Sequence, residues 1–244
     1  MVEGTGFENQ RARKGLGSSN LPLSAALMLR KQLIKITEEF VKEKLKDADP
    51  GHDFFHIQRV RNNAKLINAK EHANSVIVDL ALLLHDVGDR KILRQENDDY
   101  SIARNFLQAQ KVPNATIDRV MFVIEHMSFS KTLNAKVKNA PKELSVVQDA
   151  DRMDAIGAIG IARAFVFGGS RGRPMYDPSK MAQRITNTKS YHKMESSTLH
   201  HFEEKLFLLK DLMNTKTARR IAMHRHTFMK HYLKEFLAEW EGKR

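Results

Sequence analysis

The sequence predicts an all-α protein, and two observations carry this prediction. Apolar residues recur about every three to five positions through most of the chain, which is the spacing of one helix face. No stretch shows the sustained alternation, flanked by hairpin turns, that marks β-strands. With 244 residues, of which 41% are hydrophobic, the chain can bury one large core. We therefore expect a single helical domain over residues 25–244.

Residues 1–24 are predicted to form a disordered basic and polar tail. They are rich in Gly, Ser and Asn, and they lack the apolar core of a signal peptide. A mitochondrial transit peptide is the competing interpretation, but early acidic residues and the missing amphipathic pattern argue against it.

Helical periodicity begins directly after the tail. Ser24 is a candidate N-cap for a first helix over Ala25 to Lys46, which ends in the loop 47–51. Similar spacing predicts helical segments at 53–72, 75–87, 98–110, 114–128, 143–167 and 196–241. The Gly-rich stretch 168–174 predicts a mobile loop, after which helical patterning stays weak to about residue 195.

Composition excludes several classes of protein. Without cysteine there can be no disulfide framework or thiolate zinc site, so any metal must be held by His, Asp or Glu. No apolar run approaches the ~20 residues that span a bilayer, which excludes a membrane-spanning protein. The lack of cysteine fits a reducing compartment, and we expect a cytoplasmic protein with no membrane partner. The 41 Lys and Arg against 29 Asp and Glu give a net charge of +12, which favours anionic partners.

Two histidine-bearing segments stand out as candidates for chemistry. His56 lies where a loop enters a helix, and taken alone it reads as a core or capping histidine. His85 and Asp86 end a strongly apolar helix, where adjacent side chains can converge on one ion. A divalent cation would balance the charge that such a position buries. The alternative is that the pair caps and hydrogen-bonds a neighbouring helix.

A third segment carries three aspartates into a helix of small residues. Asp151 and Asp154 are about one helical turn apart and could share a face. Asp149 can act as an N-terminal helix carboxylate, which the helix dipole favours. At least one of the three is expected to be structural.

The order His56, His85-Asp86, Asp151 in an all-helical chain resembles the HD superfamily of metal-dependent phosphohydrolases. More narrowly, the chain is similar to a subgroup related to bacterial nucleoside triphosphate pyrophosphohydrolases, over roughly residues 30–241. The segments that carry this narrower resemblance are residues 55–60, 83–89, 126–131, 148–157 and 201–206.

The resemblance implies one HD-domain helical bundle with His56, His85, Asp86 and Asp151 as metal ligands. This mixture of nitrogen and oxygen ligands suits Mn²⁺, Fe²⁺, Co²⁺, Ni²⁺ or Mg²⁺, and family habit favours Mn²⁺ or Mg²⁺. Dinuclear members add further histidines between the His-Asp pair and the last Asp, whereas this chain has only His126 there. We therefore expect one metal ion, with His126 lining the pocket or packing in the core.

The resemblance also suggests residues around the metal. Asp89 would orient or deprotonate the attacking water, or alternatively pair with Arg90 or Lys91 at a helix end. An anionic substrate needs cationic neighbours. The candidates for substrate binding are Lys91, Lys131, Arg152 and Lys205. For each of them the alternative is an ordinary solvent-exposed side chain without a role in binding. Arg171 and Arg173 could close over the substrate or lie on an exposed connector.

The function that the resemblance implies is hydrolysis of a nucleoside triphosphate to monophosphate and pyrophosphate by a metal-activated water. One alternative is a nucleotide phosphomonoesterase. The other is a basic nucleic-acid-binding or scaffold protein with a vestigial HD site, which the charge of +12 supports. The absence of zinc-finger spacing, aromatic RNA-binding signatures and basic repeats argues against nucleic acid. The expected partner is a small nucleotide or phosphate compound, and a homodimer is compatible with the sequence.

Overall fold

The computed structural model confirms the predicted all-α class. It describes residues 22–48, 51–90, 97–129, 137–183 and 196–243, and these contain no β-strand. The helices are α1 (Leu23–Lys44), α2 (Phe54–Glu71), α3 (Ser75–Leu84), α4 (Ser101–Ala109), α5 (Asn114–His126), α6 (Lys142–Asp154), α7 (Gly157–Ser170), α8 (His200–Glu204) and α9 (Lys216–Trp240), with a 3₁₀ helix at Leu206–Leu212.

Local capping explains where the first helices begin. The predicted N-cap at Ser24 is wrong, because α1 begins at Leu23 directly after Pro22, whose φ of −54° leads into the helix without a side-chain cap. The Asp53 side chain caps α2 by accepting from the backbone N–H of His56. The Asn74 side chain caps α3 by accepting from the backbone N–H groups of Val76 and Ile77.

Two segments predicted as single helices are divided in the structure. The segment 143–167 breaks between α6 and α7, which meet at 67°. Gly157 follows this break with a φ of +79°, a left-handed conformation that glycine adopts at little cost. The segment 196–241 divides into α8, the 3₁₀ helix and α9, and the Thr215 side chain caps α9. Periodicity alone could not locate these breaks, because apolar spacing continues through them.

Helix α3 lies at the centre of the fold. It packs against α1, α2, α5 and α6, and Leu80, Leu82, Leu83 and Leu84 on it are all fully buried. Burying a leucine side chain stabilises a fold by about 1.5–3 kcal/mol, so this helix anchors the core. Because α2 and α6 also pack against each other, the residues that follow Leu84 lie close to the helices that carry the other candidate ligands.

The remaining predictions meet the structure only in part. Most of the predicted tail, residues 1–21, lies outside the described residues. The predicted loop at 168–174 begins later than expected, because Gly168 to Ser170 complete α7. Within the described part of the chain, no single helix is long and apolar enough to cross a membrane. Helices α6 and α7, taken together as a bent pair, do reach that length and apolar composition.

Candidate metal centre

The N-terminus of α2 fixes the position of His56. The Asp53 carboxylate accepts a hydrogen bond from the backbone N–H of His56 at 2.8 Å, so the cap and the candidate ligand are held together. The His56 side chain is 2% exposed. Its ring therefore points into the protein, towards the end of α3.

The end of α3 supplies His85 and Asp86. The Nδ1 atom of His85 lies 2.9 Å from the carbonyl oxygen of Leu82, and because a carbonyl only accepts, Nδ1 is the donor. In the neutral imidazole this leaves Nε2 with a free lone pair, directed to within 3.2 Å of Asp86 Oδ1. Both side chains are buried, with 7% and 6% of their surfaces exposed.

The structure brings His56, His85 and Asp86 into one cluster that could hold a metal ion. One donor atom from each residue lies within 4.8 Å of the other two, and His56 Nε2 is 3.8 Å from Asp86 Oδ2. Adjacent ligands at about 2.1 Å from an octahedral ion are about 3 Å apart. The cluster therefore has the donor atoms of a metal site and nearly their spacing. Small shifts of the side chains would bring these atoms within coordination distance of one ion.

Asp151 borders this cluster from helix α6. Its Oδ1 atom lies 3.5 Å from His56 Nε2, and its side chain is 32% exposed. It falls outside the group of donor atoms that are mutually within 4.8 Å. The cluster therefore has one partly exposed side at Asp151, where a substrate could approach.

The electrostatics of the cluster favour a cation. Burial by itself lowers the pKa of the His85 imidazole, but the nearby carboxylates of Asp86 and Asp151 outweigh it and raise that pKa above its ordinary value. A site that draws a proton onto a buried histidine in this way also attracts a metal ion, which competes for the same nitrogen lone pair.

Asp154 lies behind His56. Its Oδ2 atom is 2.8 Å from His56 Nδ1, and the carboxylate also accepts two hydrogen bonds from Arg59, of 2.9 and 3.1 Å, and one of 2.8 Å from Arg163. Burial alone would raise the pKa of Asp154, but these donors and the charge of Arg163 lower it to about 2. Asp154 is therefore a buried carboxylate that stays ionised.

Asp149 is structural, but it does not stand at a helix N-terminus as predicted, because it lies in the second half of α6. Its carboxylate is fully buried and accepts from the backbone N–H of Asn214 at 2.7 Å and of Thr215 at 2.8 Å. These hydrogen bonds fasten the start of α9 to α6.

Arg152 does not fit its predicted role in substrate binding. The residue is 4% exposed, and its Nη1 donates to the carbonyl oxygen of Leu212 at 2.5 Å. A guanidinium buried against the end of the 3₁₀ helix stabilises the packing of that helix on α6. Because the residue is buried and held by this contact, we assign it a structural role.

Two predicted cationic residues, Lys91 and Lys131, lie outside the described residues. Lys205 is partly buried, with its Nζ 4.9 Å from the centre of the Phe129 ring. Arg173 and Lys205 both act on His201, where burial and these two charges lower the pKa to about 3. Arg173 in the Gly-rich segment and Lys205 directly after α8 therefore both place a positive charge near His201.

Asp89 and His126 occupy different surroundings. The charge of Asp89 acts on the nearby His85, and its backbone N–H donates to the Asp86 carbonyl at 3.1 Å. His126 stacks on Phe122, and its Nδ1 lies 2.8 Å from the carbonyl oxygen of Phe122. Among the described residues, His126 does not belong to the metal-binding cluster.

Sequence reasoning missed the two arginines that hold Asp154. Arg59 had a usable signal, since it lies one helical turn after His56 on the same helix and therefore shares its face. Arg163 had none. It reaches Asp154 only because the break after α6 turns α7 back towards the start of α2, where its Nη2 also donates to the Gly51 carbonyl at 2.6 Å.

Comparison with known proteins agrees with this geometry. An HD domain family model matches residues 54–156, the stretch that contains all four candidate ligands. Over 203 residues the chain is 38% identical to the uncharacterized protein YpgQ of Bacillus subtilis (strain 168). The matched region covers 83% of this chain and 91% of YpgQ.

Solved structures share the fold over most of the chain. A Lactobacillus plantarum protein has a TM-score of 0.76 at 37% identity, covering 86% of this chain and 98% of that chain. An HD-superfamily hydrolase of Bacillus thuringiensis has a TM-score of 0.67 at 36% identity, covering 87% of this chain and 98% of that chain. The structure of Bacillus subtilis YpgQ in complex with ADP has a TM-score of 0.66 at 36% identity, covering 84% of this chain and 96% of that chain.

Proposed function

Because the chain belongs to the HD-domain family, we propose that it is a metal-dependent phosphohydrolase that acts on nucleotides. The observation that carries this proposal is the convergence of one donor atom each from His56, His85 and Asp86 within 4.8 Å of one another. Asp151 Oδ1, 3.5 Å from His56 Nε2, would complete the ligand set.

The donor set fits a single divalent cation. Two imidazole nitrogens and two carboxylates suit Mn²⁺ or Mg²⁺ while leaving positions for water and phosphate oxygens. When bound there, such an ion would lower the pKa of a coordinated water and neutralise charge on the phosphate. Within the described residues, this cluster contains two histidines and one aspartate, and we propose that it binds one ion.

The chain's own residues hold the ligands in place before any ion binds. The Asp53 cap fixes the backbone of His56, and the Leu82 carbonyl fixes the ring of His85. Asp89, whose charge acts on His85, is the residue that we assign to orienting or deprotonating the attacking water. Such fixed positions reduce the reorganisation that the reaction requires.

A nucleotide substrate is supported by two independent facts. YpgQ, 36% identical to this chain over the matched structure, crystallised with ADP, and the chain carries a net charge of +12. Lys205, with Lys91 and Lys131, would neutralise the phosphates. The resemblance to nucleoside triphosphate pyrophosphohydrolases points to attack at the α-phosphorus, with monophosphate and pyrophosphate as products.

Product analysis in water that carries heavy oxygen tests the proposal. Nucleoside triphosphates with Mn²⁺ or Mg²⁺ should give monophosphate and pyrophosphate, with the label in the monophosphate alone and no diphosphate intermediate. Asp86→Ala should abolish turnover with every metal. Release of inorganic phosphate first, or activity confined to monophosphates, would instead establish a phosphomonoesterase.

A second measurement separates the enzyme from a nucleic-acid-binding protein. Binding of RNA with a steep salt dependence, together with no hydrolysis of any nucleotide with any divalent metal, would overturn the proposal. Activity that is lost on chelation and restored by Mn²⁺ or Mg²⁺ supports it.

A further inference from the structure

The hydrogen bond between His56 and Asp154 joins two side chains that are each only 2% exposed. We propose that Asp154 is a positioning residue for the metal centre, which sets the tautomer and the ring orientation of His56. This inference rests on the metal centre proposed above, and it assigns a role to a residue that does not itself touch the ion.

The argument begins with hydrogen-bond chemistry. An ionised carboxylate can only accept, so the Nδ1 atom of His56, 2.8 Å from Asp154 Oδ2, must carry the proton. The Nε2 atom of a neutral ring then presents its lone pair to the cluster, on the side where Asp86 and Asp151 lie 3.8 and 3.5 Å away. Asp154 thus selects the tautomer of His56 that can bind a metal ion through Nε2.

Three further hydrogen bonds orient the carboxylate. Arg59 donates from Nε to Oδ1 and from Nη2 to Oδ2, and Arg163 donates from Nη1 to Oδ2. Each of these groups is a donor, and both carboxylate oxygens are needed as acceptors. An amide at this position would turn an N–H group towards at least one donor, so it could not reproduce the arrangement.

The carboxylate also joins separate parts of the fold. Asp154 ends α6, Arg59 belongs to α2, and Arg163 belongs to α7. Arg163 in turn holds the Gly51 carbonyl before α2. The orientation of His56 consequently depends on the relative placement of three helices, which fixes the ring more firmly than a local contact would.

Asp149 provides a matched control for substitution of Asp154, because both residues lie on α6. It is also buried, and it also accepts several hydrogen bonds, but its donors belong to Asn214 and Thr215 and not to a histidine. Asp149→Asn and Asp154→Asn make the same chemical change at two buried carboxylates of α6. Only Asp154→Asn should change the metal centre.

The first test measures binding of Mn²⁺ alone by calorimetry to the full-length wild-type protein and both variants. We expect Asp154→Asn to weaken Mn²⁺ binding by about 10–100-fold, while Asp149→Asn keeps the wild-type affinity with a lower Tm. Equal Mn²⁺ affinity in Asp154→Asn and wild type would overturn the inference. Failure of the wild type to bind Mn²⁺ would instead contradict the proposed function.

The second test is decided by the wild type alone, and Asp154→Asn adds a comparison. Nuclear magnetic resonance of isotope-labelled imidazole nitrogens reports which ring nitrogen carries the proton in the metal-free protein. We expect the His56 signals to show Nδ1–H in the wild type at neutral pH, and a shift towards Nε2–H in Asp154→Asn. A wild-type His56 with the proton on Nε2 would overturn the inference whatever the metal affinity.

Discussion

Asp151 Oδ1 lies 3.5 Å from Nε2 of His56, although the two residues belong to different helices far apart in the sequence. The packing of α2 against α6 creates this proximity. Asp151 is also the most exposed of the four candidate ligands, since its side chain is 32% exposed whereas those of His56, His85 and Asp86 are at most 7% exposed. The buried three form the base of the centre, and Asp151 forms its open edge.

This arrangement predicts how metal content responds to substitution. The wild-type protein should contain about one divalent ion per chain, and Asp86→Ala should lose both metal and activity, because it removes a carboxylate from the buried base. Elemental analysis after equilibration with Mn²⁺ measures the stoichiometry. His126→Ala is the control, since His126 stacks on Phe122, and it should retain the ion. Two ions in the wild type with loss of one in His126→Ala would contradict the mononuclear centre.

Lys205 is the predicted cationic residue that the structure describes at a partly exposed position. If it binds the polyphosphate of the substrate, Lys205→Gln should lower kcat/KM for a nucleoside triphosphate by about 10- to 150-fold, because a hydrogen bond to a charged group contributes about 1.5–3 kcal/mol. Metal content should stay at the wild-type value.

The matched control for Lys205 is Lys46→Gln, which removes the same charge from a side chain that is 60% exposed and pairs with Glu43. Steady-state kinetics at fixed ionic strength should show no change in that variant. An equal loss of kcat/KM in both variants would mean that net charge, and not Lys205 itself, determines substrate binding.

The sequence predicted the parts of the centre that depend on short-range patterns. The apolar helix before His85 predicts a buried helix because nearly every position on it is apolar, and α3 is indeed central. The order of histidines and aspartates carried the resemblance to the HD superfamily. Both features can be recognised from the sequence without knowing how the helices pack.

Interactions between distant segments could not be predicted in the same way. Arg152 looked available for substrate because cationic residues are usually exposed, yet its contact with the Leu212 carbonyl depends on the placement of the 3₁₀ helix. Arg163 reaches Asp154 because the chain bends after α6. Neither the contact nor the bend leaves a periodic signal in the sequence.

Gly88 provides a prediction about the segment next to the metal cluster. Its φ is not in the left-handed region, so the turn after Asp86 does not require glycine for conformational freedom. The requirement is space, because a Cβ would overlap the Asp99 carbonyl group, and the Asp99 backbone N–H donates to the Gly88 carbonyl at 2.8 Å. Gly88→Ala should therefore lower the free energy of unfolding by about 1–3 kcal/mol.

Gly169 is the control for this substitution. It lies in α7, and a methyl group at this position would meet no atom of the described residues within 4 Å. Gly169→Ala should therefore raise the free energy of unfolding by about 0.5–1 kcal/mol. Urea denaturation of both variants in metal-free buffer makes the comparison. A Gly88→Ala variant as stable as the wild type would show that the chain near Gly88 shifts without cost.

His201 gives the fold a predicted sensitivity to acid. Burial, together with the charges of Lys205 and Arg173, lowers its pKa to about 3 in the folded state, whereas an unfolded histidine titrates near ~6.5. Below that value the unfolded chain binds a proton that the folded protein does not. The contribution of His201 to stability is therefore present above about pH 6.5 and is lost progressively as the pH falls towards about 3.

At pH 5 the loss attributable to His201 should be about 2 kcal/mol relative to pH 7. His201→Gln cannot take up this proton, so its free energy of unfolding should fall less between pH 7 and pH 5 than that of the wild type. Urea denaturation of both proteins at several pH values, in metal-free buffer, isolates the difference from the other titrating groups, because those groups are common to both proteins. Parallel pH profiles would show that His201 takes up its proton equally in the folded and unfolded states, which would contradict the lowered pKa.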